Sequence, residues 1–583
     1  MGTDELREAL RSVPVFARLA DDILSRVAHE AVAVAVQAGD WIFRQGDEAD
    51  RVFVVLSGRL EVVLESPPPA RRLRSLSAGD PVGELGVLTG STRAASVRAI
   101  RDSELLGVDR RTIDGMLEVP AFARTMIGAL ASHLQETAVG PVQDRRPTVI
   151  AVLVDDRQPW TGDFRAALFQ GLGRDGPIAE LTRPATPDAS SFGRVLDDHE
   201  RRHGRVLLWA GTALAGEWDQ FCVRQADRVI VATTARAPRI ALPGDTDLHV
   251  AVCGDRPATA GQLAPWMDAE PAATPHQVAL GPAFAADVRR LGRRVSGSSL
   301  GVVMSGGGAR GMAHIGVLDV LLEAGIDVDR IGGCSMGSLI GAMFAMGRSA
   351  GEVEEQCRQE LATKKPFGDY TVPRASFLRG KRAQDMLVRM LGHGHIEEMG
   401  RSFFAVSCDL NDAHCVVHRR GPAWEAVGIS ASIPGLLPPV AREGRMLVDG
   451  GLLNNMPVDV MALESGPVVA IDVMAEGWRP KTVAWERRPT PGGVRGMVGH
   501  LAGRGPERVP ALSETLVRTS VIGSWRLTQE NRRRADLVVT PSVGHVGLLE
   551  FRRIDELVEA GRAAAREALP ALESLLAADP PTA

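Results

Sequence analysis

The chain has 583 residues, 24% of them charged and 45% from the set AVILMFWYC, an ordinary globular balance that excludes a mostly disordered chain. At roughly 150 residues per domain, the length implies about four structural units. The formal net charge of −5 argues against a generally basic nucleic-acid binder.

The six cysteines (Cys222, Cys253, Cys334, Cys357, Cys408 and Cys415) are scattered and form no CxxC pair. That gives no zinc signature and no disulfide framework, and it fits a reducing compartment. No apolar run is long enough to read as a membrane-spanning helix. The start, MGTDELREALRSVP, lacks the apolar core of a signal peptide. Basic charge is almost all arginine; lysine stands only at 364, 365, 381 and 481. That bias reads as genome composition.

In chain order, residues 1–140 open with a helical stretch. Short apolar runs follow, separated by Gly39-Asp40, Gly46-Asp47, Ser57-Gly58 and Gly79-Asp80. This spacing predicts a β-roll or barrel, with helix again after Asp109, through Leu134. A polar, Pro-containing join spans Gly140–Pro147. Residues 146–256 alternate strands (Thr148–Val154, Arg205–Ala210, Arg228–Thr233, Leu248–Cys253) with amphipathic stretches, which predicts a small parallel α/β domain. Its first strand runs into Asp155-Asp156-Arg157-Gln158 with no phosphate-cradling GxxxxGK[ST], so nucleotide hydrolysis is not expected there. A Pro/Ala-rich connection covers about 256–297. Residues 298–478 carry the chemistry. The tail, 479–583, opens with the Pro/Gly/Arg-rich stretch Arg487–Gly505, returns to a strand at Ala535–Pro541 and ends in a helix, Ile554–Leu576.

Within 298–478, the strand Val302–Met304 runs into Gly306-Gly307-Gly308-Ala309-Arg310-Gly311, and a helix follows. Three glycines let backbone N–H groups turn toward one point, where the helix N-terminus adds positive potential. Such a loop holds a phosphate or an oxyanion. Gly306-x-Gly308-x-x-Gly311 also satisfies the dinucleotide fingerprint, with Asp327 at the distance of a ribose-binding acid. A Gly-rich turn without a ligand is the bland alternative. What separates these readings is Gly333-Cys334-Ser335-Met336-Gly337, a GxSxG nucleophile elbow. Ser335 lies 27 residues (335 − 308) beyond a loop suited to an oxyanion hole.

A serine nucleophile needs a proton acceptor. Leu447–Pro457 reads as a short strand ending in Asp449-Gly450-Gly451, which places Asp449 at the end of a buried element. At an ordinary pKa of about 3.9 it is a weak base, so it needs an apolar pocket and direct contact with Ser335 Oγ. The competing Ser-Asp-His order leaves only His500 and His545 as bases, neither in a distinctive setting. His314, beside the glycine loop, reads as a packing or supporting residue.

The motifs Gly306-Gly307-Gly308-x-Arg310-Gly311, Gly333-x-Ser335-x-Gly337 and Asp449-Gly450-Gly451, with Ser430–Pro439 between the last two, resemble the patatin-like phospholipase family. The resemblance covers about 299–475. It implies a three-layer α/β/α catalytic domain and a Ser335–Asp449 dyad without histidine. It also implies an oxyanion hole from Gly306–Gly308, with Arg310 near it. Ser305 replaces the Asp that precedes the glycines in plant patatins, a change expected to be tolerated. The tail from Ala535 to Gly561 and the strand around Gln225–Ile230 resemble the neuropathy target esterase branch. Relative to eukaryotic members of that branch, the N-terminal membrane anchor and further nucleotide domains are expected to be missing.

Gly39–Asp47 and Val52–Gly58 resemble a cyclic-nucleotide-binding β-roll, and Gly83-Glu84-Leu85-Gly86 through Arg93-Ala94-Ala95-Ser96 its phosphate cassette. The resemblance implies that Gly83, Glu84, Leu85, Arg93, Ala94 and Ser96 form a nucleotide site, with Glu84 on the ribose hydroxyl and Arg93 on the phosphate. Ala94 after the arginine favours cAMP over cGMP, and Thr92 stands where the family usually has Pro. The alternative is a roll that binds nothing.

The expectation is therefore an α/β protein. It comprises a cyclic-nucleotide-binding β-roll with flanking helices (1–140), a middle α/β domain (146–256), the catalytic domain (298–478) and a C-terminal extension packed on it (479–583). Its expected activity is that of a serine esterase on phospholipid or lysophospholipid, needing no catalytic cofactor or metal and binding cyclic nucleotide as a regulatory ligand. It is expected to be cytoplasmic with peripheral membrane contact and to bind no nucleic acid. A non-catalytic nucleotide sensor, a dinucleotide oxidoreductase and a histidine-dependent hydrolase remain open at this point.

Overall fold

The structure, a computed structural model, describes residues 21–66, 71–120, 148–173, 177–183, 192–234, 246–269, 272–475 except 365, 373 and 465, and 512–577, together with a few single positions before 21, after 120 and at 240 and 242. The chain divides into two compact units, Met1–Ala251 with Trp266–Thr274 and Val252–Pro265 with Pro275–Ala583.

The first unit begins with eight strands: β1 (Val32–Val36), β2 (Trp41–Phe43), β3 (Arg51–Ser57), β4 (Arg59–Leu64), β5 (Arg71–Ser77), β6 (Pro81–Val82), β7 (Ser96–Ala99) and β8 (Ser103–Asp109). They form two four-stranded sheets, ordered β1-β8-β3-β6 and β2-β7-β4-β5. The glycines of the four turn signals, Gly39, Gly46, Gly58 and Gly79, all have φ between +90° and +98°, which is why those positions read as turns. Val55, Leu60, Leu76 and Leu105 fill the roll. Val54 and Leu106 pack outward on the helices Asp21–Glu30 and Arg110–Leu117 through Leu24 and Ile113.

Five further strands, β9 (Val149–Val154), β10 (Ile178–Leu181), β11 (Arg205–Gly211), β12 (Arg228–Thr233) and β13 (Asp247–Gly254), lie in the order β10-β11-β9-β12-β13. β10, β11, β9 and β12 pair in parallel. β10 was not among the strands legible from sequence; it is four residues long and only Ala179 of them is buried. Roll and middle domain are joined by a buried charge cluster. Arg101 donates to Asp227 (2.5 Å) and Glu200 (3.2 Å), and Arg59 donates to Asp227 (3.2 Å). Burial would raise the Asp227 pKa, but these guanidinium groups hold its carboxyl well below the usual range.

In the second unit, β14 (Thr274–Ala279) and the helix Phe284–Ser296 lead into the catalytic sheet. Its strands are β15 (Gly301–Met304), β16 (Arg330–Cys334), β17 (Ser402–Asp409), β18 (His414–His418), β19 (Val440–Arg442), β20 (Arg445–Asp449), β21 (Val468–Ile471) and β22 (Leu537–Val539). The order is β19-β20-β17-β16-β15-β21-β22, with β18 also on β17. β17, β16, β15, β21 and β22 run parallel; β18 and β20 pair antiparallel with β17. Continuous apolar runs suit strands covered on both faces. Val302, Met304, Ile331 and Ile471 face the helices Ala313–Glu323, Met336–Ala345 and Ile554–Ala577. Val303, Cys334, Val406 and Ala470 face the opposite side, against Met456 and Val458.

The C-terminal extension supplies β22 to this sheet, and its last helix packs Leu557 and Val558 into the same core. Arg562 Nε on that helix donates to Asp319 Oδ2 at 2.8 Å. The helix Leu512–Arg534 was not expected from sequence. Its pattern is polar and arginine-rich, so it carries little amphipathic signal. The join Gly140–Pro147 and the stretch Arg487–Gly505 lie outside the described residues.

Candidate active site

Ser335 follows the last residue of β16 and starts the helix Met336–Ala345. Its backbone sits at φ +52°, ψ −121°, a conformation that L-residues rarely adopt. The elbow is too tight for side chains beside it: a Cβ on Gly333 would lie 2.6 Å from the Gly337 carbonyl carbon. The Ser335 N–H donates to Ser430 Oγ at 3.0 Å.

Strand register brings the acid to the same level. Cys334 pairs with Val406 on β17, and the next residue, Ser407, pairs with Asp449 on β20. Asp449 Oδ2 accepts the Ser335 hydroxyl at 2.7 Å. Its Oδ1 accepts the Gly451 N–H at 2.7 Å and the Cys334 thiol at 3.7 Å. Asp449 is buried. Burial pushes its carboxyl up to about 6, opposed by the three donors Ser335, Gly451 and Cys334. Desolvation thus makes this carboxylate a stronger base than a solvated aspartate, while leaving it mostly ionised at neutral pH.

The glycine loop leaves β15 beside the elbow. The Gly306 N–H donates to the Asn455 carbonyl (3.0 Å), and Asn455 Nδ2 returns a bond to the Gly306 carbonyl (3.2 Å). The Ala309 N–H donates to the Leu548 carbonyl at 2.8 Å. The Gly306 amide is therefore pinned, whereas the Gly307 and Gly308 amides donate to no backbone carbonyl among the described residues, and both glycines line the cavity with Ser335. Gly308 has φ +54°, and a Cβ there would collide with the Leu548 carbonyl.

Arg310 departs from the expected place near the oxyanion hole. It is buried and donates from Nε to the Val546 carbonyl and from Nη2 to the Gly544 carbonyl, both at 2.7 Å. It does not line the cavity beside Ser335. Its two bonds tie the glycine loop to the C-terminal extension. Ser305, at the position of the patatin aspartate, accepts the Val473 N–H on its Oγ (3.1 Å).

The histidines lie elsewhere. His314 Nε2 donates to the Ser305 carbonyl (2.9 Å), and burial lowers its pKa to about 4, so it supports the loop as a neutral ring. His545 is 54% exposed and pairs with Glu556 at 2.6 Å. His500 lies outside the described residues. Asp327, the ribose acid of the dinucleotide reading, is paired with Arg293 (3.1 Å).

A cavity of about 340 Å³ opens on Ser335, Asp449 and the glycines. Its wall is apolar, with Phe367, Leu387, Trp424, Ile433 and Leu436. Sequence reading missed Asn455 and Leu548 as parts of the site; Ser430 lay in the quoted Ser430–Pro439 loop, without its bond to the Ser335 N–H. Asn455 lies six residues after Asp449, inside a quoted motif; nothing local marks Leu548, because its role is a backbone carbonyl.

In the roll, the six-residue helix Glu84–Thr89 starts at Gly83 and lies between β6 and β7. Arg93 is buried, donates to the Gly83 and Arg51 carbonyls (2.8 Å each) and stacks over Phe43. Its Nε is buried without a hydrogen-bond partner. Glu84 is buried with Arg74 Nη2 at 3.9 Å. Ser96 Oγ accepts the Gln45 N–H (2.8 Å), so it braces the roll. Leu85 and Ala94 are exposed.

The family model of patatin-like phospholipase matches residues 302–462, and that of the cyclic nucleotide-binding domain matches 33–119. Fold and matches together define a carboxylic ester hydrolase of the patatin-like phospholipase class, with an N-terminal cyclic nucleotide-binding domain. An NTE family protein of Mycobacterium tuberculosis is 35% identical over 596 residues, covering 99% of this chain and 98% of that protein. The chain belongs to the NTE family. The protein named lysophospholipase nte1 in Aspergillus fumigatus is 29% identical across 93% of this chain, which spans 42% of that longer protein. Neuropathy target esterase sws of Drosophila melanogaster is 28% identical over 76% of this chain and 36% of its own length. Among the described residues, no helix is long and apolar enough to cross a membrane.

Proposed function

We propose that the protein hydrolyses the acyl ester of lysophospholipids or phospholipids through a Ser335–Asp449 dyad. Ser335 Oγ attacks the ester carbonyl as its proton passes to Asp449 Oδ2. The amides of Gly307 and Gly308 stabilise the oxyanion, each donor worth roughly 3–4 kcal/mol of barrier. Asp449 then protonates the departing alkoxide and leaves an acyl-Ser335. Water attacks that ester, gives its proton to Asp449, and the fatty acid leaves as Ser335 recovers the proton. The observation that carries this reading is the direct 2.7 Å contact of Ser335 Oγ with Asp449 Oδ2, which leaves no place for an imidazole between them. The apolar cavity suits an acyl chain, and the relative named lysophospholipase supports the substrate class. Fatty-acid release from a lysophospholipid panel by wild type and Ser335→Ala tests it; release undiminished in the variant refutes it.

In this reading the chain is organised as a nucleotide-binding domain (1–140), a middle domain (146–256), a catalytic domain (298–478) and an extension (479–583) that completes the catalytic wall. The protein works in the cytoplasm, peripheral at the inner face of the membrane. The roll binds cyclic nucleotide, cAMP in preference to cGMP. Arg93 would meet the cyclic phosphate, a group that suits its orphaned Nε, and Glu84 the ribose. Binding biases access to Ser335. Calorimetric titration of wild type and Arg93→Ala with cAMP, followed by activity across the same titration, tests both steps.

A further inference from the structure

The segment between the cavity and the surface is unlike the rest of the chain. Residues 364–382 read KKPFGDYTVPRASFLRGKR, with six cations (Lys364, Lys365, Arg374, Arg379, Lys381, Arg382) against the single acid Asp369. The whole chain, by contrast, carries a net −5. Three of its four lysines and its only tyrosine, Tyr370, fall inside these residues. A bias toward arginine everywhere else makes that concentration a local feature rather than a compositional one.

Within the segment, residues 369–371 and 377–379 pair as the two arms of a hairpin. Tyr370 and Leu378 form an antiparallel bridge, the Thr371 N–H donates to the Phe377 carbonyl and the Arg379 N–H to the Asp369 carbonyl, each at 2.9 Å. Its inner arm is fixed to the catalytic wall. The Phe377 N–H donates to the Gly435 carbonyl (2.9 Å) and the Leu378 N–H to the Leu436 carbonyl (3.1 Å). Leu378 is buried against Leu436 and Leu437. Phe367, Arg379 and Gly380, at the two ends of the hairpin, line the same cavity as Ser335. The arm away from this wall leaves apolar groups in solvent: Tyr370 is 75% exposed and Val372 81%. Lys364 is paired with Glu360 (2.7 Å). Arg374, Arg379, Lys381 and Arg382 make no ion pair among the described residues.

We infer that the hairpin Asp369–Arg379 is a docking element that seats the mouth of the catalytic cavity on an anionic phospholipid bilayer. This deepens the lipid-ester reading above and rests on it for the purpose of docking. An exposed tyrosine and an exposed β-branched residue match the headgroup–acyl boundary, where amphipathic rings settle. Unpaired basic side chains around them match the negative surface potential of anionic lipid. An acidic protein partner would satisfy the charges, but two exposed apolar side chains offer far less contact than a stable protein interface needs. With the inner arm hydrogen-bonded to the cavity wall, docking through these side chains holds the opening to Ser335 at the membrane surface.

The test separates docking from catalysis by measuring binding in a Ser335→Ala background. Wild-type hairpin should co-sediment with phosphatidylcholine vesicles containing about one-third phosphatidylglycerol, and far less with phosphatidylcholine alone. Tyr370→Ser with Val372→Ser should weaken partitioning about tenfold or more. Arg374→Gln with Lys381→Gln and Arg382→Gln should lose the preference for anionic vesicles, and high salt should erase the difference from wild type. With Ser335 intact, both sets should keep wild-type Tm and wild-type turnover of a water-soluble short-chain ester, yet lose turnover of vesicle-borne lysophospholipid. Equal vesicle binding by wild type and both variant sets overturns the proposal, as does wild-type indifference to anionic lipid. Hairpin-dependent binding by a protein that cleaves no ester would leave docking standing and refute the dyad reading instead.

Discussion

Replacing Asp449 with Asn separates the cost of the buried carboxylate from its use. The folded protein holds this carboxyl at about 6 against an ordinary 3.8. A raised carboxyl favours folding only where it is protonated, and that contribution is lost as pH climbs through about 6. At pH 8 the ionised group therefore costs the fold about 3 kcal/mol relative to a solvated aspartate. Asn carries no charge, and its oxygen can still accept the Gly451 N–H that now bonds Oδ1. Asp449→Asn should thus leave the catalytic unit as stable as wild type or more so, by about 1–3 kcal/mol at pH 8, with the gain vanishing below pH 4. Ester turnover should fall by about 10²–10⁴, because the amide cannot take the Ser335 proton. Differential scanning calorimetry across pH and hydrolysis of a soluble ester read the two effects on the same samples. A variant that loses stability at pH 8, or that retains near-wild-type turnover, refutes the reasoning. In the wild type the same ionisation sets the acid limb: kcat/KM should drop to about one-tenth near pH 5 and be flat above pH 7.

Other expectations follow from particular contacts. Ser335→Gly should abolish turnover while stabilising the catalytic unit by about 1 kcal/mol, since glycine accepts the φ of +52° without strain; a Tm scan checks it. Gly308→Ala should cost both folding and activity, because its Cβ meets the Leu548 carbonyl; soluble yield and turnover are the readouts. Arg310→Ala should lower turnover and Tm together, by about 2–4 kcal/mol in stability, through loss of the bonds to Val546 and Gly544. In the first unit, Arg101→Met leaves Asp227 and Glu200 with Arg59 alone of their two guanidinium partners and should destabilise by about 2–4 kcal/mol in urea unfolding.

Much of the site was legible because its chemistry is written in local backbone demands. The elbow needs Gly333 and Gly337 wherever it occurs, the strand before Asp449 announces its end with two glycines, and the roll's Gly-Asp turns appear where φ is positive. Strands buried on both faces show as near-unbroken apolar runs, so β9, β11, β12, β13 and β15 could be placed from sequence. What escaped depends on partners distant along the chain. Arg310 carries the family's arginine, yet its direction is set by carbonyls more than 200 residues later. Asn455 acts by pinning Gly306, a bond that no spacing rule marks. The carbonyl of Leu548 has no side-chain signature, and the helix Leu512–Arg534 has a sequence too polar to mark a buried face.

The central claim is that Ser335 is activated by Asp449 alone. Its most direct measurement is covalent labelling by a fluorophosphonate, with the modified residue located by peptide mass spectrometry. Wild type should carry a single adduct on Ser335, His545→Ala and His500→Ala should label at the wild-type rate, and Asp449→Asn should label at least about a hundredfold more slowly. An adduct on another residue, or labelling of Asp449→Asn as fast as wild type, would contradict it.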